Sequence, residues 1–224
     1  AGEDSLLRIF SSGGDVYCDM ASRLYGREIT KNDKSERRVG KTTILGAGYQ
    51  MAGANFARVC KTQRINLEAA GVTAEQCIKT YREQYPRIPA MWKGLNDAAF
   101  ATVQSGGVTE LCRVKFSMRG LDLVMTLPSG RDLIYRDARI VTKIPRWAIL
   151  TNQMHVPPRP CLEYTHPHGY AKDLYGGILT ENASQAICRD LMVESALRYD
   201  ANRPGELVLH VHDELVAESA EPEV

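Results

Sequence analysis

Residues 206–217 read ELVLHVHDELVA. A strand-forming run over 206–211 enters His212-Asp213-Glu214, and Leu215-Val216-Ala217 leaves it as a second strand. Apolar β-formers on both sides of a short polar interruption predict a tight hairpin with two adjacent acids on a rigid tip. Adjacent carboxylates are hard-oxygen ligands suited to Mg²⁺, which takes one or two of them together with substrate phosphates. A plain polar turn explains the same residues without any metal.

Upstream of this hairpin, Thr180 predicts the cap of a helix over 181–199, with Ala183, Ile187, Leu191 and Leu197 as its apolar face. Residues 152–177 carry Pro157, Pro158, Pro160 and Pro167 and little periodicity, and read mostly as loop. Residues 111–117, 121–127 and 131–136 read as strands, with Pro128-Ser129-Gly130 as a turn. The first half of the chain reads as helix: 3–10, a segment capped by Asp15 and ended by Gly26, 33–50, 53–70, 73–84 stopped by Tyr85-Pro86, and 88–104 stopped by Gly106-Gly107. The class is therefore α+β. Gly40, Gly46 and Gly48 inside the 33–50 helix each cost about 1 kcal/mol against Ala, which implies that something approaches that backbone closely.

The chain has 224 residues, 44% hydrophobic and 25% charged, with a formal net charge of +1. Bulk charge does not mark a nucleic-acid binder, so any phosphate-binding surface must be local. Six dispersed cysteines without a C-x-x-C pair read as reduced thiols of a cytoplasmic protein. No apolar run is long enough to span a bilayer. His155, Cys161, His166 and His168 share the proline-rich segment, but their spacing fits no common zinc site.

Arg37, Lys41, Leu45 and Tyr49 recur every four residues. Each step drifts by about 40° around a helix, so the four fall in a stripe of about 120°. Two cations, an aliphatic side chain and an aromatic ring in a row match a nucleoside triphosphate, whose phosphates attract Arg and Lys and whose sugar and base favour apolar or flat surfaces. A solvated basic helix end with Leu45 and Tyr49 in the core fits the pattern equally. Gly40-Lys41-Thr42 also matches the end of the nucleotide-binding loop G-x-x-x-x-G-K-S/T. Ser35 stands where its first glycine belongs, and a polar segment replaces the expected strand.

The stretch Arg37-Arg38-x-x-Lys41-x-x-x-x-Gly46-x-x-Tyr49 and the later Val211-His212-Asp213-Glu214 together resemble two motifs of the family A DNA polymerases, the bacterial DNA polymerase I type found also in phages. Tyr85-Pro86 and Leu127-Pro128-Ser129-Gly130-Arg131 are similar to phage members. The resemblance implies part of a right-hand polymerase: a palm-proximal segment over 1–12, mostly helical fingers over 13–177, and a palm piece with the catalytic hairpin over 178–224. It implies template-directed transfer of deoxynucleotides to a DNA 3′ end with Mg²⁺, and template-primer DNA and dNTPs as partners, in a bacterial cell or phage-infected host. Residue by residue, Arg37, Arg38 and Lys41 would hold the triphosphate, and Lys41 would protonate the leaving pyrophosphate. Leu45 would lie by the sugar, Tyr49 by the templating base, and Gly46 would allow close approach of DNA. Asp213 and Glu214 would be the catalytic, metal-binding carboxylates, and His212 would contact the primer end. Gln185 and Asn182 would reach the minor groove.

Several positions depart from the family pattern. Leu45 replaces an aromatic residue, implying altered handling of 3′-modified nucleotides. Tyr17 stands where many members have a His near the phosphates, Glu181 stands where an Asn is usual, and Gln50 replaces a glycine. The family's first catalytic Asp precedes the matched region, and Glu3 and Asp4 are out of register with it. The expectation is a chain inactive alone, either a piece of a longer polymerase or a split subunit completed by a partner chain that supplies the missing palm strand. A split-gene product serving only as a DNA-binding or assembly module is the competing reading.

Overall fold

The computed structural model describes residues 1–150, 153 and 155–219. Six helices come first: α1 Asp4–Ser11, α2 Val16–Tyr25, α3 Lys34–Ala47, α4 Gly53–Thr62, α5 Ala74–Gln84 and α6 Arg87–Ser105. Strands β1 Thr109–Leu111, β2 Val114–Arg119, β3 Asp122–Thr126 and β4 Asp132–Lys143 follow, then the short α7 Arg146–Leu150, β5 Arg159–Thr165 and β6 Ala171–Leu174. The described chain closes with α8 Gly176–Asn202 and the hairpin β7 Leu207–Val211 and β8 Glu214–Ala217. The α+β class read from the sequence holds.

Local chemistry sets most boundaries. Asp15 accepts the backbone N–H groups of Tyr17 and Cys18, and Thr73 accepts that of Gln76, so both cap the helices that follow. Gly26 and Gly106 end α2 and α6 in the left-handed conformation that glycine adopts without steric cost. Strands β1 to β6 form one antiparallel sheet in sequential order, while β7 and β8 pair only with each other. In β2, buried Val114 and Phe116 flank exposed Lys115, the period-two signature of a half-buried strand. Strand β4 pairs with β3 through Asp132–Tyr135 and with β5 through Arg136–Lys143, with an irregular register between Arg136 and Arg139. A bulge there bends the strand and curls the sheet.

Buried side chains gather in two clusters. One is helical, built on Met20, Val39, Phe56, Cys77, Tyr81, Tyr85 and Trp92. The other joins Leu95 and Ala99 of α6 to Phe116, Leu123, Met125 and Leu162 of the sheet and to Leu179, Ala183 and Ala186 of α8. Helix α6 contributes to both clusters and ties them together.

Four sequence expectations are corrected. Within the 152–177 segment read mostly as loop, β5 and β6 form, with Leu162 opposite Leu174; residues 152 and 154 lie outside the described residues. Pro160 sits near the start of β5, where a missing N–H is tolerated, and the strand buries Leu162, Glu163 and Tyr164 in succession, so it carries no period-two signal. The helix read as 53–70 ends at Thr62. Thr180 does not cap α8, which begins at Gly176, leaving Thr180 buried within the helix. Finally, α8 buries only its first turns. Ala183 is in the core and Ile187 packs against it, but Leu191 and Leu197 are 58% and 67% exposed.

Candidate functional site

Helix α3 carries the cationic stripe. Asp33 precedes it but spends its carboxylate on Thr30 and on Arg27, which also pairs with Glu36. These contacts fix the 27–33 loop and with it the start of α3. Gly40 explains one glycine in the helix. A Cβ there would lie 2.2 Å from the Tyr17 carbonyl oxygen and 3.0 Å from the Ala21 Cβ, so α2 crosses α3 almost in backbone contact. What approaches the backbone at Gly40 is the protein itself. At Gly46 a Cβ would meet Met51 and Phe56 no closer than 3.4 Å.

That crossing sets the surroundings of the cations. Arg37 donates from Nε to Asp15 Oδ2 at 2.9 Å, with Nη2 at 2.8 Å from the same oxygen. Asp15 Oδ1 meanwhile accepts the Tyr17 and Cys18 N–H groups at 2.9 and 3.1 Å. Burial pushes the Asp15 carboxyl up, but the Arg37 guanidinium and the two N–H groups outweigh it and hold the group below the usual carboxylate range. Tyr17 lies beneath both cations, its ring centroid 5.2 Å from the Arg37 guanidinium carbon and 5.7 Å from Lys41 Nζ, within reach of a cation–π attraction. Lys41 is exposed and has no acidic partner among the described residues. Arg38 reaches the other way, to the Gln63 carbonyl oxygen.

Between α3 and α4 lies a groove of about 600 Å³, lined by Lys34, Arg37, Arg38, Lys41, Leu45 and Gly46 among others, with no acid in its wall. Leu45 is 55% and Tyr49 37% exposed. The reading that puts these two in the core is therefore excluded; the stripe faces solvent. One member is displaced. Helix α3 ends at Ala47 rather than near 50, and Tyr49 sits in the turn beyond it. That turn is held from outside: Trp92 Nε1 donates to the Gly48 carbonyl at 3.0 Å, and Gln50 Oε1 accepts the Gly177 N–H at 2.8 Å. Gln50 thereby binds a free N–H at the start of α8.

This junction brings Tyr49 beside α8. Partial burial, then the nearby Glu181 and Cys188 charges, raise the Tyr49 hydroxyl above its ordinary value. Gln185 is exposed and donates to Glu181 Oε1 at 3.3 Å. Asn182 points inward and donates to Tyr135 Oη at 3.0 Å.

The predicted hairpin forms, with Val211 opposite Glu214 and His212-Asp213 as its tip. His212 takes a left-handed φ of 53°, the backbone sign that two-residue hairpin turns require. Asp213 and Glu214 are both exposed, and among the described residues neither forms an ion pair or a side-chain hydrogen bond. The hairpin packs on α8 around a hollow of about 220 Å³ lined by Val193, Leu197, Leu209 and Leu215 among others. Neither Asp213 nor Glu214 lines the cationic groove or the hollow under the hairpin.

Among the described residues no group of three His, Cys, Asp or Glu side chains could hold a metal ion. Cys161 lies on β5, while His166 and His168 sit at the β5–β6 turn, His166 stacking on Tyr170 at 4.6 Å. Glu3 and Asp4 serve the surface, bonding to the Arg87 backbone and side chain respectively. No helix of the described residues is long and apolar enough to cross a membrane. Two contributors escaped the sequence reading, Asp15 as the partner of Arg37 and Gln50 as the pin on α8; only the capping role of Asp15 is written in local sequence.

No protein-family model matches the chain, and no solved structure does. Over 223 residues it is 27% identical to a DNA polymerase of Bacillus phage SP02, an overlap covering 96% of this chain and 32% of that protein. Over 224 residues it is 29% identical to DNA polymerase I of Chloroflexus aurantiacus, covering 100% of this chain and 19% of that protein. The chain thus spans about a third and about a fifth of the length of these curated relatives. The resemblance to family A DNA polymerases, first visible in two short motifs, extends along the whole chain.

Proposed function

We propose that this chain is the nucleotide-gripping part of a template-directed DNA polymerase. The observation that carries the reading is the solvent-facing order of Arg37, Lys41 and Leu45 on one helix, over an acid-free groove. In this reading 13–177 act as fingers, 178–224 as a piece of palm and 1–12 as a segment beside it, in a cytoplasmic enzyme of a bacterium or phage-infected cell.

The chemistry is in-line phosphoryl transfer, where positioning and charge neutralisation supply most of the rate. Arg37 and Lys41 receive the triphosphate oxygens, with Arg38 on the flank. Lys41, the ammonium without an acidic partner, is placed to give a proton to the leaving pyrophosphate. Leu45 offers an aliphatic face to the sugar, and this lowers discrimination at the 3′ position compared with an aromatic ring. Tyr49, Gly46 and Gln185 face the template-primer duplex, and His212 faces the primer end. Asn182, held by Tyr135, contributes through its neighbours.

Asp213 and Glu214 suit Mg²⁺: two adjacent carboxylates on one hairpin turn, without a competing cation among the described residues. When bound, the ion supplies positive charge to the triphosphate oxygens. The same pair falls short of two metal sites, so a further carboxylate comes from outside the described residues, on a partner chain or another segment of the polymerase. Template-dependent dNTP incorporation by the purified 224-residue chain contradicts this division of labour. In a polymerase carrying this chain, Asp213→Asn nearly abolishes turnover while DNA affinity stays within about threefold, less than 1 kcal/mol. A near-normal single-turnover rate for that variant refutes the assignment.

A further inference from the structure

Asp15 lies outside the stripe, yet it is the only acid that touches it among the described residues. Its two oxygens are divided. Oδ1 is occupied by the backbone N–H groups at the start of α2, and Oδ2 by Nε and Nη2 of Arg37. A carboxylate tethered by backbone on one side cannot swing away with the arginine; it fixes the arginine to the helix end. The Tyr17 ring, two residues later on the same turn, supplies a floor under the guanidinium and under Lys41. Gly40 lets this turn come close enough for both contacts. Of the guanidinium's five N–H donors, those on Nη1 are not engaged by Asp15, while the Cys18 thiol also lies within reach of the guanidinium.

We infer that Asp15 is a positioning residue for triphosphate binding: it holds Arg37 by one edge over the Tyr17 ring so that the opposite edge is presented to the phosphates. The inference rests on the reading of the α3 stripe as a triphosphate site. Asp15 contributes through Arg37 and touches no substrate. The pair also neutralises much of the Arg37 charge, leaving Lys41 as the main net positive charge of the stripe. Arg37 therefore acts chiefly through geometry and Lys41 chiefly through charge.

The test is a double-mutant cycle on the full chain, with dATP and Mg²⁺ titrated calorimetrically into four proteins: wild type, Arg37→Ala, Asp15→Ser and the double variant. Serine keeps the helix cap but cannot reach the guanidinium, so folding is preserved and is checked by the melting temperature. Arg37→Ala is expected to weaken binding about tenfold in the wild-type background and less than about threefold in the Asp15→Ser background, a coupling typical of residues in contact. The Arg37 Nε–H resonance should also lose its protection from exchange in Asp15→Ser. Equal losses in both backgrounds overturn the positioning role and leave the triphosphate site standing. Failure of the wild-type chain to bind dATP overturns the site and the inference together.

Discussion

Gly40→Ala should destabilise the protein, against the general preference of helices for alanine. In an ordinary helix interior the exchange gains about 1 kcal/mol. Here the new Cβ would stand 2.2 Å from the Tyr17 carbonyl oxygen, a backbone atom with no rotamer to escape into. Restoring a van der Waals separation of about 3.2 Å moves α2 away from α3 by about 1 Å, and overpacking of this kind costs about 1–3 kcal/mol, occasionally more. Because backbone gives way less easily than a side chain, the upper end applies, and the net loss is about 2 kcal/mol. For a chain of this size that lowers the melting temperature by about 4–8 °C. The displaced turn carries Asp15 and Tyr17, so triphosphate binding should weaken as well. Gly46→Ala is the internal control. Its nearest atoms lie 3.4 Å away in side chains, and it should gain about 0.5–1 kcal/mol. Calorimetric melting of both variants settles the matter: Gly40→Ala melting at or above the wild-type temperature refutes the close-approach argument.

Other predictions follow from the same contacts. Gln50→Ala removes the acceptor for the Gly177 N–H and should cost about 1–2 kcal/mol, read by urea denaturation; an unchanged midpoint contradicts its role as a pin. Burial raises the Tyr135 hydroxyl to about 12, against a smaller lowering by Asn182. The unfolded chain deprotonates first, near the ordinary value of about 10, so this contribution is intact below pH ~10 and falls as pH rises toward ~12, by about 1 kcal/mol at pH ~11. Tyr135→Phe should lose that part of the alkaline slope, compared by denaturation at both ends of the range. Lys41→Ala, in a polymerase that carries this chain, should lower the single-turnover rate about 10²-fold or more and weaken nucleotide binding. A rate within a factor of about two, roughly 0.4 kcal/mol, counts against Lys41 as the proton donor.

Local signals in the sequence were strong where a side chain acts on its own turn. Asp15, Thr73, Gly26 and Gly106 mark helix ends by chemistry that needs no tertiary context, and the two strands around His212-Asp213 state their pairing in their composition. The stripe was legible as a period of four, but its exposure was not. Whether Leu45 faces water depends on what covers it, and period alone cannot distinguish a buried face from a presented one. Tyr49 shows the limit most clearly. The count by fours places it on α3, whereas the helix stops at Ala47 and the Trp92 indole and Gly177 N–H decide where the following turn goes. Strands β5 and β6 stayed hidden because β5 buries three residues in succession rather than alternately, and its pairing with β4 and β6 is not written in its own sequence. The Asp15–Arg37 pair spans 22 residues, and nothing in either residue's neighbourhood announces the other.

Helix α8 buries nothing beyond Ala186, Arg131 and Ser129 hold Asp190 one turn further on, and twelve more residues run to Asn202. At 1.5 Å per residue those twelve make an outrigger of about 18 Å, and the hairpin folds back along it, with Leu209 and Leu215 beside Val193. A bend of only about 5° where the helix leaves the core would move the end of the arm that carries the hairpin through about 1.6 Å. Metal ligands must hold their distances to about ±0.2 Å, about eight times finer than this lever allows. Solitary, the tip is a loose end whose aim is set by the stiffness of one rod; brought up against a second surface, it becomes a fixed point.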